Sequence, residues 1–215
     1  MLDFGFYNMD CMQGMKEFPD KFFELAIVDP PYGLLDAGMQ TGGIQGIFKH
    51  RIFRNGAIKD WDFAPPPEYF EELFRVSKNQ IIWGGNYFSL PPCRCFVVWD
   101  KLQPFETFSR CEFAWTSFKS PAKLFQFDNR YAGKIHPTQK PVELYEWLIA
   151  KYAKDGDKIL DTHAGSGSCL IACRNTNHKY VGFEINPDFY AKAKARVDAE
   201  TAQMNIFDFL GGTEQ

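Results

Sequence analysis

Between Asp157 and Glu184 the sequence spells out a strand, a glycine turn, a helix and a second strand, and this succession constrains the fold more than any other part of the chain. The apolar run through Leu160 ends at Asp161-Thr162-His163-Ala164-Gly165-Ser166-Gly167-Ser168. A helix follows from about Cys169 to Asn175, and Tyr180-Val181-Gly182-Phe183-Glu184 is the next strand. Together they form a Rossmann-like βαβ unit: glycines let the backbone approach a ligand, and an acid at the second strand's end can take hydrogen bonds from ribose hydroxyls. The turn lacks G-x-G-x-x-G, which weakens a dinucleotide reading. It also lacks G-x-x-x-x-G-K-[ST], which removes the usual nucleoside-triphosphatase reading. An adenosine-bearing ligand without pyrophosphate fits better, and S-adenosylmethionine is the obvious candidate.

A second constellation lies far upstream. Phe23-Glu24-Leu25-Ala26-Ile27-Val28 runs into Asp29-Pro30-Pro31-Tyr32. An apolar run without alternation reads as a parallel strand covered on both faces, so the Asp29 carboxylate sits at a strand's C-terminal end, where open α/β sheets bind ligands. Two consecutive prolines fix φ and remove two backbone donors, leaving a rigid cluster of acceptors, and Tyr32 adds a flat π-face. A planar heterocycle with an exocyclic NH2 needs this combination. A proline turn beside a chance aromatic is the alternative.

Other elements follow from periodicity and turn chemistry. Strands are expected at 4–7, 80–83, 95–101, 112–118 and 123–127, the last two as a hairpin about Ser120-Pro121. Helices are expected at 12–18, 66–76, 141–154 and from Pro187 through Val197, with a frayed tail after Asn205. Residues 33–60 hold many glycines and no sustained periodicity, with Lys49, Arg51, Arg54 and Lys59 outnumbering the acids. That stretch is either a mobile DNA-contacting loop or a surface insertion.

A net charge of −3 argues against a protein that coats nucleic acid nonspecifically, so contacts with it must rest on local patches. Six scattered cysteines include no C-x-x-C pair, and no metal is assigned. With neither a leader pattern nor an apolar run of membrane-spanning length, the expected setting is cytoplasmic, away from the membrane.

Asp-Pro-Pro-Tyr at 29–32, His-Pro-Thr-Gln-Lys-Pro at 136–141, the Asp-x-x-x-Gly-Ser-Gly-Ser turn at 161–168 and Phe-Glu-Ile-Asn-Pro-Asp-Phe-Tyr at 183–190 together resemble the amino-methylating DNA methyltransferases. Their order matches the beta group. The resemblance covers nearly the whole chain and implies one methyltransferase domain over 1–215. Its fold would be a Rossmann-like, mostly parallel seven-stranded sheet with an antiparallel hairpin strand, in circularly permuted motif order.

It also implies roles. Asp29, Pro30, Pro31 and Tyr32 would form the catalytic motif. Asp10 would meet the cofactor's adenine, Glu184 with Ile185 its ribose side, and Asp161, His163, Gly165, Ser166, Gly167 and Ser168 its methionine portion. Lys140, with the turn around His136, would close over the cofactor. Family members commonly carry Phe where His163 stands. The target-recognition region is reduced to residues 119–135, where Lys119, Lys123, Arg130 and Lys134 face a single acid, Asp128.

The expected activity is methyl transfer from S-adenosylmethionine to the N6 of an adenine flipped out of double-stranded DNA, because Asp at the first motif position goes more often with adenine in this family. A homodimer and a cognate restriction endonuclease are the partners the resemblance suggests. Transfer to cytosine N4, RNA or protein-glutamine methylation, an inactive partner subunit and a dinucleotide-dependent oxidoreductase are the alternatives.

Overall fold

The computed structural model describes residues 1–33, 63–104, 109–128, 130, 135 and 139–211, with backbone alone for 201 and 203–211. The predicted 33–60 loop and the turn at His136 fall almost wholly outside these residues.

Among the described residues the strands are β1 (Gly5–Asn8), β2 (Phe23–Val28), β3 (Ser77–Trp83), β4 (Phe96–Asp100), β5 (Cys111–Thr116), β6 (Lys123–Gln126), β7 (Lys158–Asp161) and β8 (Lys179–Glu184). They form one sheet in the order β1-β8-β7-β2-β3-β5-β4-β6. The first five in that order are parallel to their neighbours, while β5 runs antiparallel to both β3 and β4. The helices are α1 (Cys11–Lys16), α2 (Pro67–Val76), α3 (Val142–Tyr152), α4 (Ser168–Asn175) and α5 (Pro187–Gly211).

The unalternating apolar strands are explained by cover on both faces. Leu25, Ile27, Ile81, Trp83 and Ile159 pack in one core with Leu144 and Leu148 of α3 and Ala172 of α4. Ala26, Val28, Ile82 and Leu160 pack in a second with Met15 of α1 and Tyr69 and Leu73 of α2. Every side chain of β2 from Leu25 to Val28 is therefore buried, and Asp29 is the first polar group beyond it.

Three expectations need correction. The sheet has eight strands, not seven, because Lys123–Gln126 adds an outer strand. That strand does not form a hairpin with the one before it. It lies parallel to β4, and the hairpin is β4 with β5. The Ser-Pro segment cannot turn tightly because it is pinned across the start of β4: Ser120 Oγ donates to Cys95 Sγ (3.3 Å), and that thiol reaches the Pro121 carbonyl (3.6 Å). Finally, α5 continues to Gly211 instead of ending near Val197. Asp198 through Met204 contains no Gly or Pro to stop it, and Lys194 and Asp198 form an i,i+4 pair at 2.6 Å.

Candidate active site

The parallel order β1-β8-β7-β2 brings four strand ends to one edge of the sheet, and each delivers a polar group there: Asn8 at the end of β1 with Asp10 just after it, Glu184 from β8, Asp161 from β7 and Asp29 after β2. This crevice outside the carboxyl ends of parallel strands is where such sheets bind ligands.

On its β8 side Glu184 braces the glycine turn. One carboxylate oxygen accepts from the Gly165 amide (3.0 Å) and the other from the Asn186 amide (2.9 Å). Asn8 Nδ2 donates to the carbonyls of Glu184 (2.8 Å) and Ile185 (3.1 Å), fastening β1 to the same corner, and the Ile185 side chain stands 63% exposed beside it. Asp10 caps α1, with Oδ1 accepting from the amides of Met12 and Gln13 (2.8 and 3.1 Å).

The turn has an open side and a closed side. Gly165 (φ +51°) has nothing within 3.9 Å of where a Cβ would stand, so its backbone is approachable. Gly167 (φ +77°) is packed: a Cβ there would lie 2.8 Å from Val197 of α5. The hydroxyls of Ser166 and Ser168 turn to the closed side. They lie 3.1 Å apart, and Arg196 donates to the Ser166 carbonyl and the Ser168 hydroxyl (2.9 Å each). Both residues are buried, so their side chains anchor the turn.

Asp161 is buried and takes the His163 amide (3.1 Å). Burial, which the His163 amide partly offsets, and the neighbouring charges of Asp29 and Glu184 push its carboxyl up to about 7. Burial also raises Glu184, against the lowering effect of its amide donors. Asp161, Glu184, Asp10 and Asp29 thus make an edge short of positive charge at the turn. A carboxylate whose pKa is raised by folding binds its proton more tightly in the folded state, so it costs stability as pH rises from about 4 to about 7. Asp161→Asn, which keeps the acceptor for the His163 amide, should raise the melting temperature at pH 8 by about 5 °C or more. The gain should vanish near pH 4, and thermal melts across that range check it.

Next to the turn, Asp29 is held on both oxygens. Tyr32 donates its hydroxyl to Oδ1 (2.7 Å), and the Lys140 ammonium binds Oδ2. Lys140 is 3% exposed and also meets Glu112 (3.0 Å), whose other oxygen meets Lys101 (2.6 Å). The result is an alternating chain Asp29, Lys140, Glu112, Lys101, lying over aromatic faces: Lys140 stands 5.1 Å from the Trp83 ring and Lys101 5.5 Å from that of Trp99. Burial would push Glu112 up and Lys140 down. The opposite charges prevail, holding Glu112 down to about 2 and Lys140 above the ordinary lysine value. Lys140, expected to close over the cofactor, lies against Asp29. Pro30 is buried and Pro31 half-buried beside it.

Tyr32 stacks on Tyr87 (5.0 Å, 22°), which is 45% exposed and sits in the short 3₁₀ turn Gly85–Tyr87. Gly84 makes this seat. Its φ is +66°, and a Cβ there would stand 2.1 Å from Tyr32 Cε1. Burial, then the charges of Asp29 and Glu112, keep the Tyr32 phenol protonated.

Glu112, Lys101, Arg196, Asn8 and Gly84 enter the site unforeseen. Gly84-Gly85-Asn86-Tyr87 at the end of an apolar strand is the one sequence signal that could have pointed to its members. In the predicted recognition segment Lys119, Lys123 and Arg130 are exposed, and Arg130 is paired with Asp128 at 2.6 Å.

The chain is 36% identical over 95 residues to the type II methyltransferase M.HpaI of Haemophilus parainfluenzae, an alignment covering 42% of this chain and 29% of that protein. It therefore spans less than a third of that relative's length. Its fold is similar to that of M1.HpyAVI, solved as a complex with S-adenosylmethionine (TM-score 0.60, 18% identity, covering 89% of this chain and 98% of that one). It is also similar to that of the cytosine-N4-specific PvuII DNA methyltransferase (TM-score 0.61, 14% identity, 95% and 92% covered). The N6/N4 DNA methylase family model matches residues 80–195, more than half of the chain, and the protein belongs to that family.

Proposed function

We propose that the chain is an S-adenosylmethionine-dependent DNA methyltransferase that methylates an exocyclic base amine, adenine N6 in preference to cytosine N4. The observation that carries this reading is the adjacency of two units on one sheet edge. One is a carboxylate held by Tyr32 and Lys140, and the other a glycine turn braced by Glu184.

The residues fit the cofactor. Gly165 leaves a backbone cradle open, and Asp161, raised by burial and by two neighbouring carboxylates, would be relieved by a cationic ligand. Asp10 would hold the adenine side, Glu184 with Ile185 the ribose side, and the turn from Asp161 to Gly167 the amino-acid end. When bound, S-adenosylmethionine supplies an electrophilic methyl group on a sulfonium centre.

A base amine inside a duplex cannot reach this crevice, so the target nucleotide must be flipped out. Tyr32 supplies the stacking face, with exposed Tyr87 yielding its place on the ring. Asp29 accepts a hydrogen bond from the exocyclic NH2 and draws the nitrogen toward tetrahedral geometry, so its lone pair becomes available. Lys140 holds the carboxylate in place through its ion pair, and no enzyme nucleophile is needed.

The fold supports the permuted order of the family resemblance: the strand carrying Asp29 precedes the strand carrying Asp161 in the chain and lies beside it in the sheet. The type II relative supports a restriction-modification setting, with a cognate endonuclease, a homodimer and the cytoplasm as further parts of the proposal. Among the described residues no helix is long and apolar enough to cross a membrane.

Cytosine N4 is the second reading, favoured by the similarity to the PvuII enzyme's fold. Incubating mixed-sequence duplex DNA with the protein and cofactor, digesting to nucleosides and identifying the product by mass spectrometry decides between them. Recovery of N4-methylcytosine alone overturns the adenine assignment, and no methylated nucleoside overturns the activity. Gly84→Ala should cut turnover by about 10²-fold, because the new methyl group displaces Tyr32 and breaks its bond to Asp29. Cofactor affinity, read by calorimetry, should stay near wild type.

A further inference from the structure

The edge of the sheet opposite the crevice carries a cleft of its own. It lies where the starts of β1 and β8 meet the turn after α4, has a volume of about 340 Å³, and is lined by Phe4, Arg174, Asn177, Lys179 and Tyr180, among others. That volume is near the lower end of the range for small-molecule sites. Lys179 opens β8 and Glu184 closes it, so the cleft is roughly 16 Å from the crevice at about 3.3 Å per strand residue. The lining holds no carboxylate, and neither Arg174 nor Lys179 enters an ion pair among the described residues. In a chain of net charge −3 this is a local positive concavity.

The backbone around these cations is fixed. α4 ends at Asn175, and hydrogen bonds close the turn beyond it: the Asn177 amide donates to the Arg174 carbonyl (3.0 Å) and the His178 amide to the Cys173 carbonyl (2.7 Å). His178 is spent on this frame, with Nδ1 at Thr176 Oγ1 (3.0 Å) and Nε2 at the Lys154 carbonyl (3.1 Å). The Lys179 ammonium lies 5.3 Å from the Phe4 ring, which stacks in turn on Phe22 (6.1 Å, 24°). Arg174 reaches the Tyr180 hydroxyl. Four side chains with N–H or O–H groups thus share one cleft. A phosphate offers such a set three or four oxygens where a carboxylate offers two, and a guanidinium fork beside an ammonium matches it.

We propose that this cleft is a phosphate-binding site, in which Arg174 and Lys179 hold the anion and Asn177 and Tyr180 complete its set of donors. The phosphate is carried either by a small phosphomonoester or by the backbone of a DNA strand. The site is separate from the crevice and does not depend on the methyltransferase reading.

The test is calorimetric titration of uridine 5′-monophosphate, uridine and a short DNA duplex into the full chain and into Arg174→Gln, Lys179→Gln and the double variant. Ionic strength is kept low, and S-adenosylhomocysteine is present to fill the crevice. Each single substitution should weaken uridine 5′-monophosphate binding about fivefold, as suits charge-assisted contacts open to solvent, and the double variant should lose measurable binding. Uridine, which lacks the phosphate, should not bind. A wild type that ignores the mononucleotide but holds the duplex more tightly than the double variant does assigns the phosphate to a DNA backbone. S-adenosylmethionine affinity should stay at the wild-type value in all three variants, which shows that they fold. Equal affinities of wild type and double variant for both phosphate-bearing probes overturn the proposal, as does a wild type that binds neither. Arg174 then serves only as the cation in the last turn of α4. Either result leaves the methyltransferase reading intact.

Discussion

Asp29→Asn should lower methyl transfer by about 10²–10⁴-fold, the range for removing a positioned group that handles a reacting proton, while S-adenosylmethionine affinity changes little. The substitution conserves volume and one acceptor oxygen, so Pro30 and Tyr32 keep their places. What it removes is charge. An amide oxygen accepts a weaker hydrogen bond from the substrate amine than a carboxylate does, and it cannot take up the proton that the amine sheds. The Asn NH2 also has to face either the Tyr32 hydroxyl or the Lys140 ammonium, both donors to the present carboxylate. The protein should still fold, because Lys140 retains Glu112 as a counter-ion. Single-turnover transfer of a labelled methyl group, read beside calorimetric cofactor binding, separates a chemical defect from a binding one. Turnover within a few-fold of wild type would remove Asp29 from the chemistry and leave the motif a structural turn.

The parts of this site legible in the sequence are those that short-range pattern dictates. An unbroken apolar run followed by Asp29-Pro30-Pro31 announces a buried strand end, and it is found there because both faces of β2 are covered. The Gly165-Ser166-Gly167 turn announces itself by residues that tolerate positive φ, and two of its positions adopt it. Glu184 is legible as the acid at the end of the next strand, although its present partners are backbone amides.

What the sequence could not convey depends on strand order. Glu112 lies on β5, which sits between β3 and β4, and only that placement brings it to Lys140, 28 positions later, and to Lys101. The same ordering defeats the hairpin reading of 112–127, because local turn chemistry at Ser120-Pro121 says nothing about Cys95 lying beneath it. The burial of Lys140 is of the same kind: two carboxylates and an indole face, none of them near it in sequence, make a buried ammonium tolerable.

Lys140→Met should therefore be the most destabilising single change in the site, costing about 3–5 kcal/mol at pH 7, as expected when one partner of a buried ion pair is removed. For a chain of this size that corresponds to roughly 10 °C or more in melting temperature. Met fits the stem and can pack on Trp83, so the loss comes from the charges left behind. Asp29 then faces Glu112 with Lys101 as the remaining paired cation among the described residues. The pH dependence identifies the origin. In the wild type Glu112 is held below its unfolded value, so the stability it contributes is present above about 4.5 and is lost as pH falls toward about 2. Removing Lys140 withdraws most of that contribution, so the gap between variant and wild type should be widest near neutrality and narrow steadily below pH 4. Adding Glu112→Gln to Lys140→Met should recover part of the stability, although Glu112→Gln alone destabilises. That sign change is the mark of charge coupling, which simple loss of packing cannot produce. A cycle in which the two substitutions add, with a gap independent of pH, would show that Lys140 serves as a packed stem and that Asp29 depends on Tyr32 alone for its place.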